Sequence, residues 1–196
     1  MVLELKGNHV TDTVRILGIS GSLRKGSFNS GLVRAAAELL PDNVTLETFD
    51  LSPIPLYNAD HDGEAAPEAV RSLKARIAAA DALLIATPEY NYSIPGVLKN
   101  AIDWASRPPK ESPLNGKPLG IMGAGGVMGT VRAQMALRQV AVFTNMHPLN
   151  KPEVLISRAW EKFDANGNLT DETSRQAVRA LLESLTRWTR LLLRRP

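Results

Sequence analysis

The chain of 196 residues contains no cysteine. That absence excludes disulfides, thiolate nucleophiles and thiolate-bound metals together, and it fits a reducing, cytoplasmic setting. Histidine is scarce: His9, His61 and His147 stand far apart, with no two at ligand spacing, so a metal site is not expected. Long hydrophobic runs are missing. Nothing approaches the roughly 20 apolar residues of a membrane-crossing helix, and the opening MVLELKGNHVTDT lacks the apolar stretch of a secretion signal. A strong net charge is lacking as well. The balance of +3 mildly favours anionic ligands and is too small to indicate nucleic acid. What remains is ordinary for a globular protein, with 44% hydrophobic and 22% charged residues. The length suits one core, expected over residues 14–193 behind a short tail, residues 1–13.

The pattern alternates strand and helix. Val14 to Ile19 is short, apolar and ended by Ser20-Gly21, as expected of a buried strand. Leu32, Val33, Ala36, Leu39 and Leu40 recur at helical spacing until Pro41. Val44 to Phe49 alternates as a second strand. Val70, Leu73, Ile77 and Ala80 mark a second helix, and Ala82 to Thr87 a third strand. A helix is expected from Pro95 to about Ser106, with the proline in its first turn. Pro118 to Met122 is a fourth strand, Thr130 to Phe143 a helix, and Glu153 to Ile156 a short fifth strand. Val178, Leu181, Leu182, Leu185, Trp188 and Leu192 stripe a last helix. Its arginine-rich end could lie on a membrane surface, but the continuous apolar stripe favours core packing, with arginines at the negative end of the dipole. The expected fold is therefore α/β: a flavodoxin-like, doubly wound, five-stranded parallel sheet of order 2-1-3-4-5 with helices on both faces.

In that order the loops after strands 1, 3 and 4 should meet at the topological switch point, where such sheets bind ligands. These are also the chemically unusual loops. The first, Ser20 to Asn29, joins a strand to a helix N-terminus, where free N–H groups favour an anion. Ser20, Ser22, Ser27 and Asn29 can donate hydrogen bonds and Arg24 can neutralise charge, as suits a phosphate monoester. Ser27 or Asn29 could instead simply cap the helix. Gly21-x4-Gly26 followed by Ser27 is a truncated P-loop without its lysine, and neither this loop nor the third has G-x-G-x-x-G spacing. The second loop, Pro88-Glu89-Tyr90-Asn91-Tyr92-Ser93, suits a flat polar heterocycle: Tyr90 could pack on a ring, and Asn91 could hydrogen-bond its edge. Glu89 could form a salt bridge rather than act as an acid, and Trp104 is expected in the core. The third loop, Gly123 to Gly129, admits close approach to a ring, plain packing of strand on helix, or nicotinamide binding.

Three segments carry a family resemblance: GSLRKGSFN (21–29), PEYNYSIPGVLKNAIDW (88–104) and NKPE (150–153). Over about Val14 to Arg190 the chain resembles the NADPH-dependent FMN reductases, and within them the chromate and quinone reductase branch. The resemblance implies tightly bound FMN. It implies phosphate contacts from Ser20, Ser22, Arg24, Ser27 and Asn29, and ring contacts from Pro88, Glu89, Tyr90 and Asn91. Backbone bordering the flavin comes from Gly123, Gly125 and Gly126. It further implies a homodimer or homotetramer, with Arg132 and Glu153 matching positions that pair across subunits. Met135 stands where some members carry an interface aromatic.

The function expected is transfer of hydride from NADPH or NADH to FMN, then electron delivery to small acceptors such as quinones, azo dyes, free flavins or chromate, in a ping-pong cycle. No side-chain acid or base is required. An electron carrier between proteins and a nucleotide sensor without turnover are the alternatives; a carrier usually has an acidic face, and this chain is mildly basic.

Overall fold

The computed structural model describes residues 13–193. Most of the expected tail, and Arg194 and Arg195 of the basic end, lie outside the described residues. The chain runs β1 (Val14–Ser20), α1 (Phe28–Glu38), β2 (Val44–Phe49), α2 (Glu68–Ala79), β3 (Ala82–Ala86), α3 (Gly96–Ala105), β4 (Pro118–Ala124), α4 (Val131–Thr144), β5 (His147–Pro148), β6 (Val154–Ile156) and α5 (Glu172–Leu193). The strands pair in parallel in the order β2-β1-β3-β4-β5, with β6 also on β4.

The sheet order is the one the sequence predicts, with one correction at its edge. The fifth place is filled by two short strands rather than one. β5 pairs with Pro118 and Leu119, and β6 with Met122 to Ala124. The gap between them contains Pro152, which has no N–H to give a ladder. β4 also runs two residues beyond the expected Met122, because Gly123 and Ala124 pair with Leu155 and Ile156.

Alternation along the strands builds two cores. Leu17, Ile19, Leu83, Ile85, Leu119 and Ile121 face α2, α3 and α4. Val14, Ile16, Ala82, Leu84, Met122 and Val154 face α1 and α5. Both faces are covered, so every residue of β3 and β4 is buried, whereas β2 at the edge buries only its first residue. Each fully buried Leu or Ile adds about 1.5–3 kcal/mol relative to exposure. On α5, Val178, Leu181, Leu182 and Leu185 are at most 1% exposed, so the described part of the last helix is packed on the core as expected. Trp104 is likewise in the core, with Nε1 donating to the Pro55 carbonyl at 2.8 Å.

Candidate functional site

β1 ends at Ser20, and the chain turns through Gly21 to Gly26 into α1. Ser27 is the N-cap: its hydroxyl accepts the amides of Asn29 and Ser30 at 3.2 and 3.4 Å. The Ser20 and Ser30 hydroxyls lie 3.0 Å apart, and those of Ser20 and Ser22 accept the amides of Ser22 and Arg24. The amides of Leu23, Lys25, Gly26 and Phe28 find no acceptor among the described residues. The Arg24 guanidinium donates to the Gly26 carbonyl at 2.6 Å and lies over the Phe28 ring. Open amides at a helix N-terminus, two serine hydroxyls and a flexible cation together fit a phosphate monoester.

Asn29 does something else. It is 3% exposed, its Nδ2 donates to the Ala124 carbonyl, and its Oδ1 accepts the Ala124 amide, each at 3.0 Å. Its side chain ties the first loop to the end of β4 and is not the cap, a place taken by Ser27.

The second loop closes as a tight turn. The amides of Tyr90 and Ser93 donate to each other's carbonyls at 3.0 Å, and Asn91 and Tyr92 have φ of 51° and 66°. Two successive left-handed residues are the mark of a type I′ turn, in which Asn-Gly is favoured. Asn91 suits its place. Tyr92 does not, at a cost of order 1–3 kcal/mol. Tyr90 and Tyr92 are both exposed, at 52% and 70%, and so offer ring surface to a ligand. Ser93 closes this turn, and the N-cap of α3 is Pro95.

The Glu89 side chain reaches to the start of α4. Oε2 accepts the amides of Arg132 and Ala133 at 2.9 and 3.3 Å, and Oε1 pairs with the Arg132 guanidinium at 2.7 Å. Glu89 therefore caps α4 from another loop, and only its backbone is left to face a ligand. Partial burial pushes its carboxyl up, but the Arg132 side chain and the two amides outweigh burial and hold it below the usual glutamate value. The Arg132 guanidinium also lies 3.9 Å over the Tyr92 ring. Within the subunit, then, Arg132 belongs to Glu89, while Glu153 pairs with Lys151.

In the third loop Gly123 and Gly125 are required by packing. A Cβ on Gly123 would lie 2.0 Å from Thr130 Oγ1 and 2.5 Å from the Thr87 carbonyl, and one on Gly125 would lie 2.5 Å from the Gly129 carbonyl. Gly126 has open space around it and is the member of the three able to border a ligand. The three loops do meet. A Cβ on Gly21 would touch Leu98 and Pro88, Asn29 joins loop one to β4, and Glu89 joins loop two to α4.

Sequence reasoning missed Asn100. Its side chain accepts the Tyr57 amide and donates to the Pro55 carbonyl, each at 2.8 Å, fastening the loop after β2. Asn100 and Trp104 stand four apart on α3, so a shared helix face was legible; their backbone partners were not.

Residues 14–161 match the family described as NADPH-dependent FMN reductase. An NAD(P)H-dependent FMN reductase of Pseudomonas aeruginosa is 54% identical over 184 residues, covering 93% of this chain and 99% of that protein. An NAD(P)H:quinone oxidoreductase of Solanum tuberosum is 45% identical, covering 88% and 91%. Among solved structures, a flavoenzyme NAD(P)H:(acceptor) oxidoreductase from Paracoccus denitrificans superimposes with a TM-score of 0.82 at 34% identity, covering 91% and 98%. With the sheet order, the open amides of the first loop and the tyrosine-bearing turn beside it, these likenesses agree: the chain belongs to the NADPH-dependent FMN reductase family and is an enzyme of FMN and NAD(P)H.

Proposed function

We propose that the chain holds FMN at the meeting of the three loops and reduces small acceptors, quinones foremost, at the expense of NADPH or NADH. The observation that carries this reading is the juxtaposition of the open amides of Leu23, Lys25, Gly26 and Phe28 with an exposed aromatic turn across Gly21. The loop amides, the Ser22 and Ser27 hydroxyls and Arg24 hold the phosphate. Tyr90, Asn91 and the backbone of Pro88, Glu89 and Gly126 hold the ring. When bound, FMN supplies two-electron chemistry, accepting hydride from a nicotinamide and yielding electrons to an acceptor that replaces it in a ping-pong cycle.

The protein's part is binding and orientation. The three loops contain no histidine, and Glu89, their one carboxylic acid, is ion-paired. The loops therefore offer no free carboxylate or imidazole as acid or base, which suits acceptors whose protons come from solvent. Free flavins, azo compounds and chromate fall in the same class. The potato relative, by its name, acts on quinones, which is the support for placing them first. A cytoplasmic setting and assembly into dimers or tetramers belong to the same reading.

The test begins with the purified protein's absorption spectrum and the flavin released on denaturation. FMN is the expected product, with steady-state NAD(P)H oxidation on adding a quinone. Arg24→Ala should weaken FMN binding by about tenfold or more, the scale of a charge-assisted hydrogen bond. Riboflavin, which lacks the phosphate, should bind as it does to the unaltered protein. Unchanged FMN affinity would remove Arg24 from the site, and a colourless protein that gains no flavin on incubation would end the reading.

A further inference from the structure

We propose that Glu89 and Arg132 are positioning residues for the FMN ring, their ion pair holding the Tyr90–Ser93 turn in a conformation its own sequence resists. The proposal rests on the FMN reading above. The turn places Tyr92 at φ 66°, a position that favours glycine, and the ring is 70% exposed, so core packing does not compensate. What holds the ring is Arg132, 3.9 Å over its face. Arg132 is in turn held by Glu89, which immediately precedes the turn and also accepts the first amides of α4. The contacts thus form a closed circuit: from Glu89 across to α4, out along Arg132, and back onto the third residue of the turn. The Glu89 side chain thus shapes the turn from the α4 side, while its backbone keeps the place given to it beside the ring.

A purely local role, capping α4, is the competing account, and two variants separate them. Glu89→Gln keeps an acceptor for an α4 amide but loses the ion pair. Arg132→Met leaves the Glu89 contacts to the α4 amides in place and removes the cation. Both should weaken FMN and riboflavin by the same factor, about three- to tenfold. Arg24→Ala, by contrast, should weaken FMN alone.

The decisive measurement is a double-mutant cycle with Tyr92→Gly, which relieves the backbone strain. If the clasp holds the strained turn, the Glu89→Gln penalty on riboflavin binding shrinks to within about twofold in the Tyr92→Gly background. Amide exchange in the flavin-free protein gives an independent readout: the Tyr90 and Ser93 amides should exchange faster in Glu89→Gln and in Arg132→Met. A full, additive Glu89→Gln penalty beside Tyr92→Gly would overturn the proposal, as would unchanged exchange and flavin affinity in both single variants. Wild-type protein that binds neither flavin, with exchange still accelerated in the variants, would sink the FMN reading and the ring assignment with it.

Discussion

Asn29 uses both ends of its amide on one residue, Ala124, 95 positions further along the chain. Both residues are buried, so Asn29→Ala strands an N–H and a C=O together, at about 1–3 kcal/mol each. The expected loss in urea unfolding is about 2–4 kcal/mol, against about 1 kcal/mol for removing the Ser27 cap by Ser27→Ala. Equal losses would show that the tie is not structural. Glycines give a second contrast. Gly123→Ala drives a Cβ into the Thr87 carbonyl and Thr130 and should lower stability by about 1–3 kcal/mol or more. Gly126→Ala meets nothing and should leave the melting temperature unchanged; a large drop there would contradict the open space around it. Sequence could show that 20–29 was polar and 123–129 rich in glycine. It could not show which side chain turned toward a ligand and which toward the sheet. Loops have no period, and the partners of Asn29 and Glu89 lie on distant elements.

Elements fared differently because periodicity is a local property. The helices fall where the apolar spacing puts them, and the edge strand announces itself by its alternation. The strand expected at Glu153 to Ile156 is present as β6, whereas β5 was not foreseen because two residues are too few to show a pattern. α5 illustrates how an element's start is set by side chains. Asp171 accepts the Ser174 amide at 2.9 Å and the Lys162 ammonium at 2.8 Å. The hydrogen bond from Lys162 and those from Ser174 lower its carboxyl to about 2. A carboxyl depressed in the folded state stabilises it above the unfolded value of roughly 3.9 and loses that contribution as pH falls toward the folded value. Asp171→Asn should thus reduce stability at neutral pH and flatten the decline of stability between about pH 4 and pH 2, read from unfolding curves across that range. An unaltered acid limb would show that other carboxylates carry the effect.

Across the whole molecule, the sheet order and the meeting of three loops were legible because alternating strands and helices leave few topologies open. The identity of the bound ring came from a resemblance, not from spacing. The outer face of α4 leaves Met135, Val142 and Phe143 exposed at 57%, 82% and 75%. Exposed apolar side chains on one helix suit an interaction surface, as the proposed association into dimers or tetramers would need. Phe143→Glu should therefore shift the protein to a smaller species in size-exclusion chromatography coupled to light scattering, and an unchanged mass would place the contact elsewhere. One further property follows from Asn100. The segment between β2 and α2 is long enough to swing over the crevice, yet Asn100 and Trp104 grip it at Pro55 and Tyr57. Those three hydrogen bonds oppose movement of its first half. With that half tied down, entry and exit of small molecules would not depend on its swinging aside.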